Sequence, residues 1–280
     1  MPHVTSKDGL SLHYEVHDHT DPWKNAPVLV LQHGFGRSAK FWYSLVPYLS
    51  RHYKVVCPDL RGLGQSSTDF DAMSGITVEN YIADLNCIID DLGVTSVHYA
   101  GESLAGILGF ILAAEHKERV KTLIALSTPP YIIRQTHATF SFGHASWADA
   151  LVKMGSVAWA RAANAATRFP PDTDPGLLEW YATEMGKSDV AVMSAMSRLL
   201  ETVDATPLLS RIKVPVLGLY PTKCPTITEE HERSLREMVP DIRLIHFPFR
   251  YHMVWMLDPA SCAAYMLHFM ALHDGIFCHD

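Results

Sequence analysis

The chain has 280 residues, of which 48% are hydrophobic and 19% are charged, and its formal net charge is −7. This apolar content suffices for a large core, and the length suits one domain core that carries a single insertion. The acidic balance and the lack of lysine- or arginine-rich runs argue against nucleic acid or an anionic membrane as a partner. No apolar run approaches the roughly 20 residues of a membrane span.

Cysteine and histidine usage indicates whether disulfides or a metal site are expected. An odd number of cysteines without CxxC spacing, and no signal-peptide pattern, predict reduced thiols in a cytoplasmic protein. The 16 histidines show no HExxH or similar ligand spacing, so we expect neither a metal site nor a cofactor. The cysteines are Cys57, Cys87, Cys224, Cys262 and Cys278.

Seven segments predict β-strands. The first, Leu10–Val16, alternates apolar and polar residues as a half-buried antiparallel strand does. The other six are continuous apolar runs, which suit parallel strands covered by helices on both faces. These runs are Val28–Leu31, Tyr53–Cys57, Val97–Ala100, Leu123–Leu126, Val216–Tyr220 and Leu244–Phe247.

Helical patterns fall between these strands. Thr77 and Asp258 are placed to cap two of the helices at their N-termini. Strands that alternate with helices predict an α/β fold with a doubly wound, mostly parallel sheet. The predicted helices are Lys40–Ser50, Val78–Leu92, Leu104–His116, Glu229–Met238 and Pro259–His273.

Ser103 stands where an apolar strand passes at once into a helix, in the run Val97–Gly106. Such an abrupt corner forces its residue into a strained conformation with the side chain projecting from the sheet edge. The small residues Gly101, Ala105 and Gly106 fit the crowding of strand against helix, and the helix N-terminus supplies N–H groups for a developing negative charge. We therefore interpret Ser103 as a nucleophile, against the alternative of an incidental serine in a strand–turn–helix.

Other segments extend this pattern. A buried strand ends in His33-Gly34-Phe35-Gly36, and Pro58–Ser66 follows the next strand. Near the C-terminus, Tyr251-His252 follows the last strand and precedes a helix. In order and spacing these segments resemble the α/β-hydrolase family across nearly the whole chain. The resemblance implies that fold, but it specifies no substrate.

The resemblance also implies a helical cap inserted after the sixth strand. Residues 131–207 show no convincing strand and read as short helices, so the core is expected to comprise 1–130 and 208–280. Most of the large apolar side chains in 131–207 are expected to pack the cap, and a few to line a cavity for an apolar substrate. They are Phe140, Phe142, Trp147, Met154, Trp159, Trp180, Met185, Met193 and Met196.

Catalytic roles follow from the same resemblance. Ser103 attacks the substrate, and His252 is the general base, with its Nε2 expected about 2.6–3.2 Å from Ser103 Oγ. The backbone N–H groups of Phe35 and Leu104 form the oxyanion hole.

The third member of the expected triad is missing. The family order is Ser, then Asp or Glu, then His, and the acid is expected near the end of Tyr220–Pro225, where Cys224 stands instead. The alternative position after the preceding strand, Leu126–Pro129, has no carboxylate either. Replacing the triad Asp by its amide costs about 10⁴ in kcat in a protease.

Three interpretations of this loss remain open. A carboxylate from elsewhere can orient His252, with Glu229, Glu230, Glu102 or a cap residue as candidates. A Ser–His dyad can suffice for an activated bond, with Ser127 or Cys224 as a weak neutral partner. The scaffold can also serve a non-hydrolytic reaction.

Glu102 is disfavoured among these candidates, because its side chain is expected to point away from Ser103. Three other charged positions are predicted to be structural. Asp59 and Arg61 are expected to form a structural turn, and Asp258 to cap the last helix rather than act on His252.

The sequence therefore predicts a serine hydrolase that cleaves an ester or lactone of an apolar small molecule through an acyl-enzyme. A lyase, a cyclase or a hydrolase of carbon–carbon bonds on the same fold is the alternative, followed by a ligand-binding receptor. The oligomeric state is open, with a homodimer as one candidate.

Overall fold

One eight-stranded sheet organises residues 2–276, the part of the chain that the computed structural model describes. The predicted thiol of Cys278 lies outside these residues. The strand order is β1-β2-β4-β3-β5-β6-β7-β8; β2 is antiparallel to both of its neighbours and the remaining pairs are parallel. The strands are β1 His3–Thr5, β2 Ser11–His17, β3 Val28–Gln32, β4 Lys54–Pro58, β5 Val97–Glu102, β6 Val120–Leu126, β7 Val216–Pro221 and β8 Ile242–Phe247.

Helices cover both faces of the sheet. The α-helices are α1 Val46–Leu49, α2 Ala72–Gly75, α3 Val78–Asp91, α4 Leu104–Glu115, α5 Arg134–Ser141, α6 Trp147–Met154, α7 Ser156–Ala163, α8 Pro175–Met185, α9 Val190–Thr202, α10 Glu229–Met238, α11 Val254–Leu257 and α12 Pro259–Asp274. Short 3₁₀ helices span Ala39–Trp42, Lys117–Arg119 and Thr206–Arg211, and a π-helical turn spans Asn164–Arg168. No helix of the described residues is long and apolar enough to cross a bilayer.

The predicted α/β architecture is confirmed, and all seven predicted strands form. The short edge strand β1 was not predicted, and the predicted helix Lys40–Ser50 is instead a 3₁₀ turn followed by α1. Pro47 explains the break, because proline cannot donate a helical hydrogen bond and favours the first turn of a new helix. Thr77 and Asp258 cap α3 and α12, accepting hydrogen bonds from Asn80 N and Ser261 N as predicted.

The predicted structural role of the turn after β4 is also confirmed. The Asp59 carboxylate lies 2.7 Å from His13 Nδ1, which ties this turn to β2. Arg61 is almost fully buried and pairs with Asp84 and Asp8. These contacts hold the turn in place.

Burial makes the corner between β5 and α4 rigid. Every residue of β3 and β5 is buried, and so is α4 from its first residue to Ala114. A strand and helix buried on all sides cannot shift relative to each other without opening voids in the core. The corner between β5 and α4 is therefore a rigid support for Ser103.

The segment that carries helices α5–α9 leaves the core and returns to it at one place. Tyr131 and Asp204 form an isolated β-bridge, and Ala205 N donates to Pro130 O at 2.9 Å. Inside this segment the rings of Trp147 and Trp159 stack with centroids 5.6 Å apart. We propose residues 131–207 as a cap that packs through its own aromatic core.

Candidate active site

Ser103 occupies a strained corner between β5 and α4. Its φ of 54° and ψ of −117° lie in a region that residues other than glycine rarely adopt. The conformation is held by the backbone, since Ser103 N donates to Leu126 O at 3.1 Å and Ser103 O accepts from the N–H groups of Gly106 and Ile107. Strain that is fixed in this way points to a functional residue.

Three glycines around the corner have no room for a side chain. A Cβ on Gly101 would lie 2.4 Å from Ala105 O, and one on Gly106 would lie 2.0 Å from Thr128 Oγ1. A Cβ on Gly34 would lie 2.5 Å from the carbonyl oxygen of Glu102, the residue before Ser103. The corner therefore depends on close backbone approach, as the sequence pattern predicted.

A small cavity joins the predicted catalytic residues to the cap. Its volume is about 30 Å³, which is roughly the space that one water molecule takes in the liquid. Its lining includes Phe35, Arg37, Ser103, Trp147, Arg168 and His252. A larger groove of about 730 Å³ runs past Tyr43 and Trp180 and contains none of the predicted catalytic residues. The cavity beside Ser103 is too small for an ester substrate in this arrangement.

The two amides predicted for the oxyanion hole are free to act. Leu104 is the first residue of α4, and such an N–H has no partner within its helix. Within residues 2–276, neither Phe35 N nor Leu104 N donates a hydrogen bond. The cap steadies the loop that carries Phe35, because Ser188 Oγ donates to Gly36 O at 3.1 Å.

His252 reaches the cavity but faces a different partner from the one predicted. Its Nε2 lies 3.0 Å from Glu102 Oε1, and its backbone N donates to Thr167 O of the cap at 3.0 Å. Among the described residues, Ser103 Oγ makes no hydrogen bond, so the predicted bond to His252 Nε2 is not formed in this structure. Because an ionised carboxylate only accepts, Nε2 carries a proton here.

Glu102 was a disfavoured candidate in the sequence, but its carboxylate contacts His252. Its carboxylate is fully buried, with Oε1 at His252 and Oε2 accepting from Gly34 N at 3.1 Å and from the Arg37 guanidinium. Burial alone would raise the pKa of Glu102, but the charge of Arg37 and the contact with His252 hold this pKa below its usual range. Glu102 is therefore a buried anion beside the candidate base.

The other nitrogen of His252 faces the position where the family acid was expected. Nδ1 lies 3.2 Å from Thr226 Oγ1 and 3.7 Å from Cys224 Sγ. Of the other candidate partners, Ser127 Oγ is buried without a hydrogen bond in the described structure, and Glu229 and Glu230 lie exposed at the start of α10. The structure thus offers Glu102 at one nitrogen, and Cys224 with Thr226 at the other.

These contacts set the protonation state of His252. Burial alone would lower the pKa of His252, but the hydrogen bonds and charges of Cys224 and Glu102 outweigh it and raise this pKa to about 8. Burial would likewise raise the pKa of the Cys224 thiol, but the contact with His252 lowers it overall. At neutral pH the imidazole is mainly protonated, with Nε2–H and Nδ1–H both engaged.

Sequence reasoning missed Arg37, Thr226 and Arg168. Arg37 follows directly on the loop Gly34–Gly36, where a charged residue among small neighbours was an available signal. Thr226 lies two residues beyond Cys224 and could have been weighed as its substitute. Arg168 offered no signal, because its direction depends on the π-helical turn that carries it.

Comparisons with known proteins agree with this architecture. A family model described as the alpha/beta hydrolase fold matches residues 27–162. RutD of Yersinia enterocolitica, a protein named for carbamate hydrolysis, is 24% identical over 270 residues, which cover 95% of this chain and 94% of RutD. Strigolactone esterase D14 of Arabidopsis thaliana is 26% identical over 214 residues, which cover 74% of this chain and 79% of D14.

Solved structures show the same fold. The enol-lactonase of Burkholderia xenovorans LB400 is 21% identical, with a TM-score of 0.77 over 96% of this chain and 100% of that one. A hydrolase from Pseudomonas aeruginosa is 22% identical, with a TM-score of 0.83 over 96% of this chain and 97% of that one. The chain has the alpha/beta hydrolase fold. Esterases, lactonases and carbamate hydrolases are among the proteins that it resembles.

Crowding at the corner can be tested by Gly106→Ala. The new Cβ would lie 2.0 Å from Thr128 Oγ1, so we expect the free energy of unfolding to fall by about 1–3 kcal/mol in urea denaturation. Adding Thr128→Ala removes the two nearest atoms and should restore part of this loss. A double variant that is no more stable than Gly106→Ala would contradict the steric explanation.

The charge balance at His252 can be tested by NMR titration of its ring. We expect a pKa near 8 in the native protein, and a lower value in Glu102→Gln, because removing the anion destabilises the imidazolium. Glu232→Gln is the matched control, since Glu232 lies 2.9 Å from the ring of His246 near the surface. An unchanged His252 pKa in Glu102→Gln would show that Glu102 does not stabilise the protonated ring.

Proposed function

We propose that the protein is a serine hydrolase that cleaves an ester or lactone of an apolar small molecule through an acyl-enzyme. The observation that carries the proposal is the geometry of Ser103, a strained residue at a helix N-terminus beside the two unpaired amides of Phe35 and Leu104. A nucleophile next to oxyanion donors is the minimum that acyl transfer requires. The general base proposed is His252, in the same cavity.

The proposed reaction begins with a change of partner at His252. When the imidazole is neutral, its Nε2 moves from Glu102 Oε1 to the hydroxyl of Ser103, the residue that follows Glu102. Ser103 Oγ attacks the carbonyl carbon as its proton passes to Nε2, and the amides of Phe35 and Leu104 stabilise the oxyanion. His252 then returns the proton to the leaving oxygen, and water hydrolyses the acyl-enzyme by the same steps.

The imidazolium needs a stabilising partner in these steps. In the proposal, Thr226 and Cys224 hold Nδ1, while the carboxylate of Glu102 stays beside the ring as a nearby negative charge. This arrangement replaces the single triad acid by a weak partner at Nδ1 and an anion at the other side. It suits activated bonds, such as those of lactones and aryl esters, better than amides.

A non-hydrolytic lyase or cyclase is the second candidate. The observation in its favour is that His252 Nε2 faces Glu102 rather than Ser103, so a proton can move at His252 without covalent catalysis. A receptor function is supported by the name of a relative alone. This relative is the karrikin insensitive 2 receptor IA of Petunia hybrida, which is 38% identical over 38% of this chain.

Two accompanying expectations also remain proposals. The aromatic rings of Phe140 and Trp147 in the cavity wall support an apolar substrate body. Cys57, Cys87, Cys224 and Cys262 carry free thiols, which supports a cytoplasmic setting.

Covalent catalysis is tested by Ser103→Ala. We expect loss of p-nitrophenyl ester hydrolysis with an unchanged circular-dichroism spectrum, and loss of labelling by a fluorophosphonate followed by intact-protein mass spectrometry. Ser44→Ala is a suitable control, because this serine lies outside the cavity. A folded Ser103→Ala protein that still turns over substrate would favour the lyase.

The missing acid is tested by Cys224→Asp. A carboxylate at this position would approach His252 Nδ1 and supply the usual acid, so we expect faster hydrolysis of simple esters. The gain is bounded by about 10⁴, the cost of losing the Asp function in a protease. Cys224→Ser is the matched control, since it changes the polar atom without adding charge. A slower Cys224→Asp enzyme would contradict the expectation that a carboxylate at Nδ1 assists His252.

A further inference from the structure

Arg168 is a buried cation in the cavity wall. Its side chain belongs to the π-helical turn Asn164–Arg168, the residue is only 4% exposed, and it lines the same cavity as Ser103 and His252. π-helical turns occur frequently at functional sites. The preceding residue, Thr167, accepts the backbone hydrogen bond of His252, so one cap element both steadies the base and presents Arg168.

No carboxylate of the described chain pairs with this guanidinium. Nη1 donates to Asn164 Oδ1 at 3.2 Å and contacts Met185 Sδ at 3.4 Å, while the rings of Trp159 and Tyr181 lie against its face. The neighbouring amide Asn164 Nδ2 is itself buried and unpaired in the described structure. A buried charge with only neutral partners is costly.

The surrounding charges do not compensate Arg168. Glu102 is the one carboxylate found within hydrogen-bond reach of His252 in residues 2–276, and it is already shared between His252 and Arg37. Arg37 is charge-paired with Glu102 and donates to Tyr181 Oη at 2.6 Å, although its Nε is buried without a partner in the described residues. Arg168 is therefore the cation left over in the cavity wall, and an incoming anion is the natural partner for it.

We propose that the substrate carries a carboxylate in addition to its ester or lactone bond, and that Arg168 binds this carboxylate. The inference rests on the proposed function and names its substrate class: an acid with an apolar body and a scissile acyl bond at Ser103. A planar guanidinium matches a carboxylate through two parallel hydrogen bonds. The apolar walls formed by Phe140 and Trp147 fit the rest of the molecule.

Paired substrates test this inference by kinetics. We compare kcat/KM for mono-p-nitrophenyl glutarate, which carries a free carboxylate, with that for neutral p-nitrophenyl valerate. Arg168→Gln should lower the ratio of the first to the second about tenfold or more, because a buried charge pair is lost. Arg161→Gln is the matched control, since Arg161 lies exposed on α7 and pairs with Glu179; its ratio should equal that of the native protein. An unchanged ratio in Arg168→Gln overturns the inference.

A binding experiment separates this inference from the proposed function. In the Ser103→Ala protein, which is not expected to turn over, phenylacetate should raise the melting temperature more than neutral phenylacetamide does. Arg168→Gln in that background should abolish the difference, and Arg161→Gln should keep it. Equal effects of the two compounds, or no effect of either, overturn the anion site. If the native protein hydrolyses neither ester while the anion effect depends on Arg168, the hydrolase proposal fails and the site stands.

A last variant separates binding from a purely structural role. Arg168→Met keeps an apolar side chain of similar length and removes the uncompensated charge, so its melting temperature without ligand should equal or exceed that of the native protein. Should Arg168→Gln fail to fold, Arg168→Met takes its place in both experiments. Failure of both variants to fold would mean that Arg168 supports the cap, and the inference would be overturned.

Discussion

The buried carboxylate of Glu102 is the interaction on which the site depends. It accepts from Gly34 N, pairs with Arg37 and contacts His252 Nε2, so one side chain joins the strand that precedes Ser103, the loop that carries Phe35 and the candidate base. A fully buried anion is stable only when its hydrogen bonds are all satisfied. Removing any of its partners would therefore disturb the other two, and the three parts of the site cannot be varied independently.

Two partners of this carboxylate also contact the cap. Arg37 donates to Tyr181 Oη of α8, and His252 N donates to Thr167 O, so the closed arrangement is fixed by contacts at the reacting residues themselves. Because the cavity has the volume of about one water, a cap movement that admits substrate must loosen these contacts. In the proposed reaction, this movement would free His252 from the cap when its ring turns from Glu102 toward Ser103.

The sequence predicted the parts of this molecule that repeat a simple physical pattern. Continuous apolar runs marked the parallel strands, and the crowded strand-to-helix corner marked Ser103, because both follow from burial and backbone geometry. The role of Glu102 could not be derived in this way, since the direction of one side chain at a corner depends on which loop packs over it. Arg37 was missed for the same reason, since its partner Tyr181 comes from a distant segment, and Arg168 was missed because its direction depends on the π-helical turn.

Cys224 in the position expected for an acid changes the charge balance of the whole site. A triad carboxylate would stabilise the imidazolium, but it would also add a second negative charge near the oxyanion. Here Arg37, Arg168 and the protonated His252 share the neighbourhood with one fully buried carboxylate, Glu102. The surplus is positive, which would strengthen the field that stabilises the proposed oxyanion. Such a balance favours reactions whose barrier lies in forming the oxyanion rather than in expelling a poor leaving group.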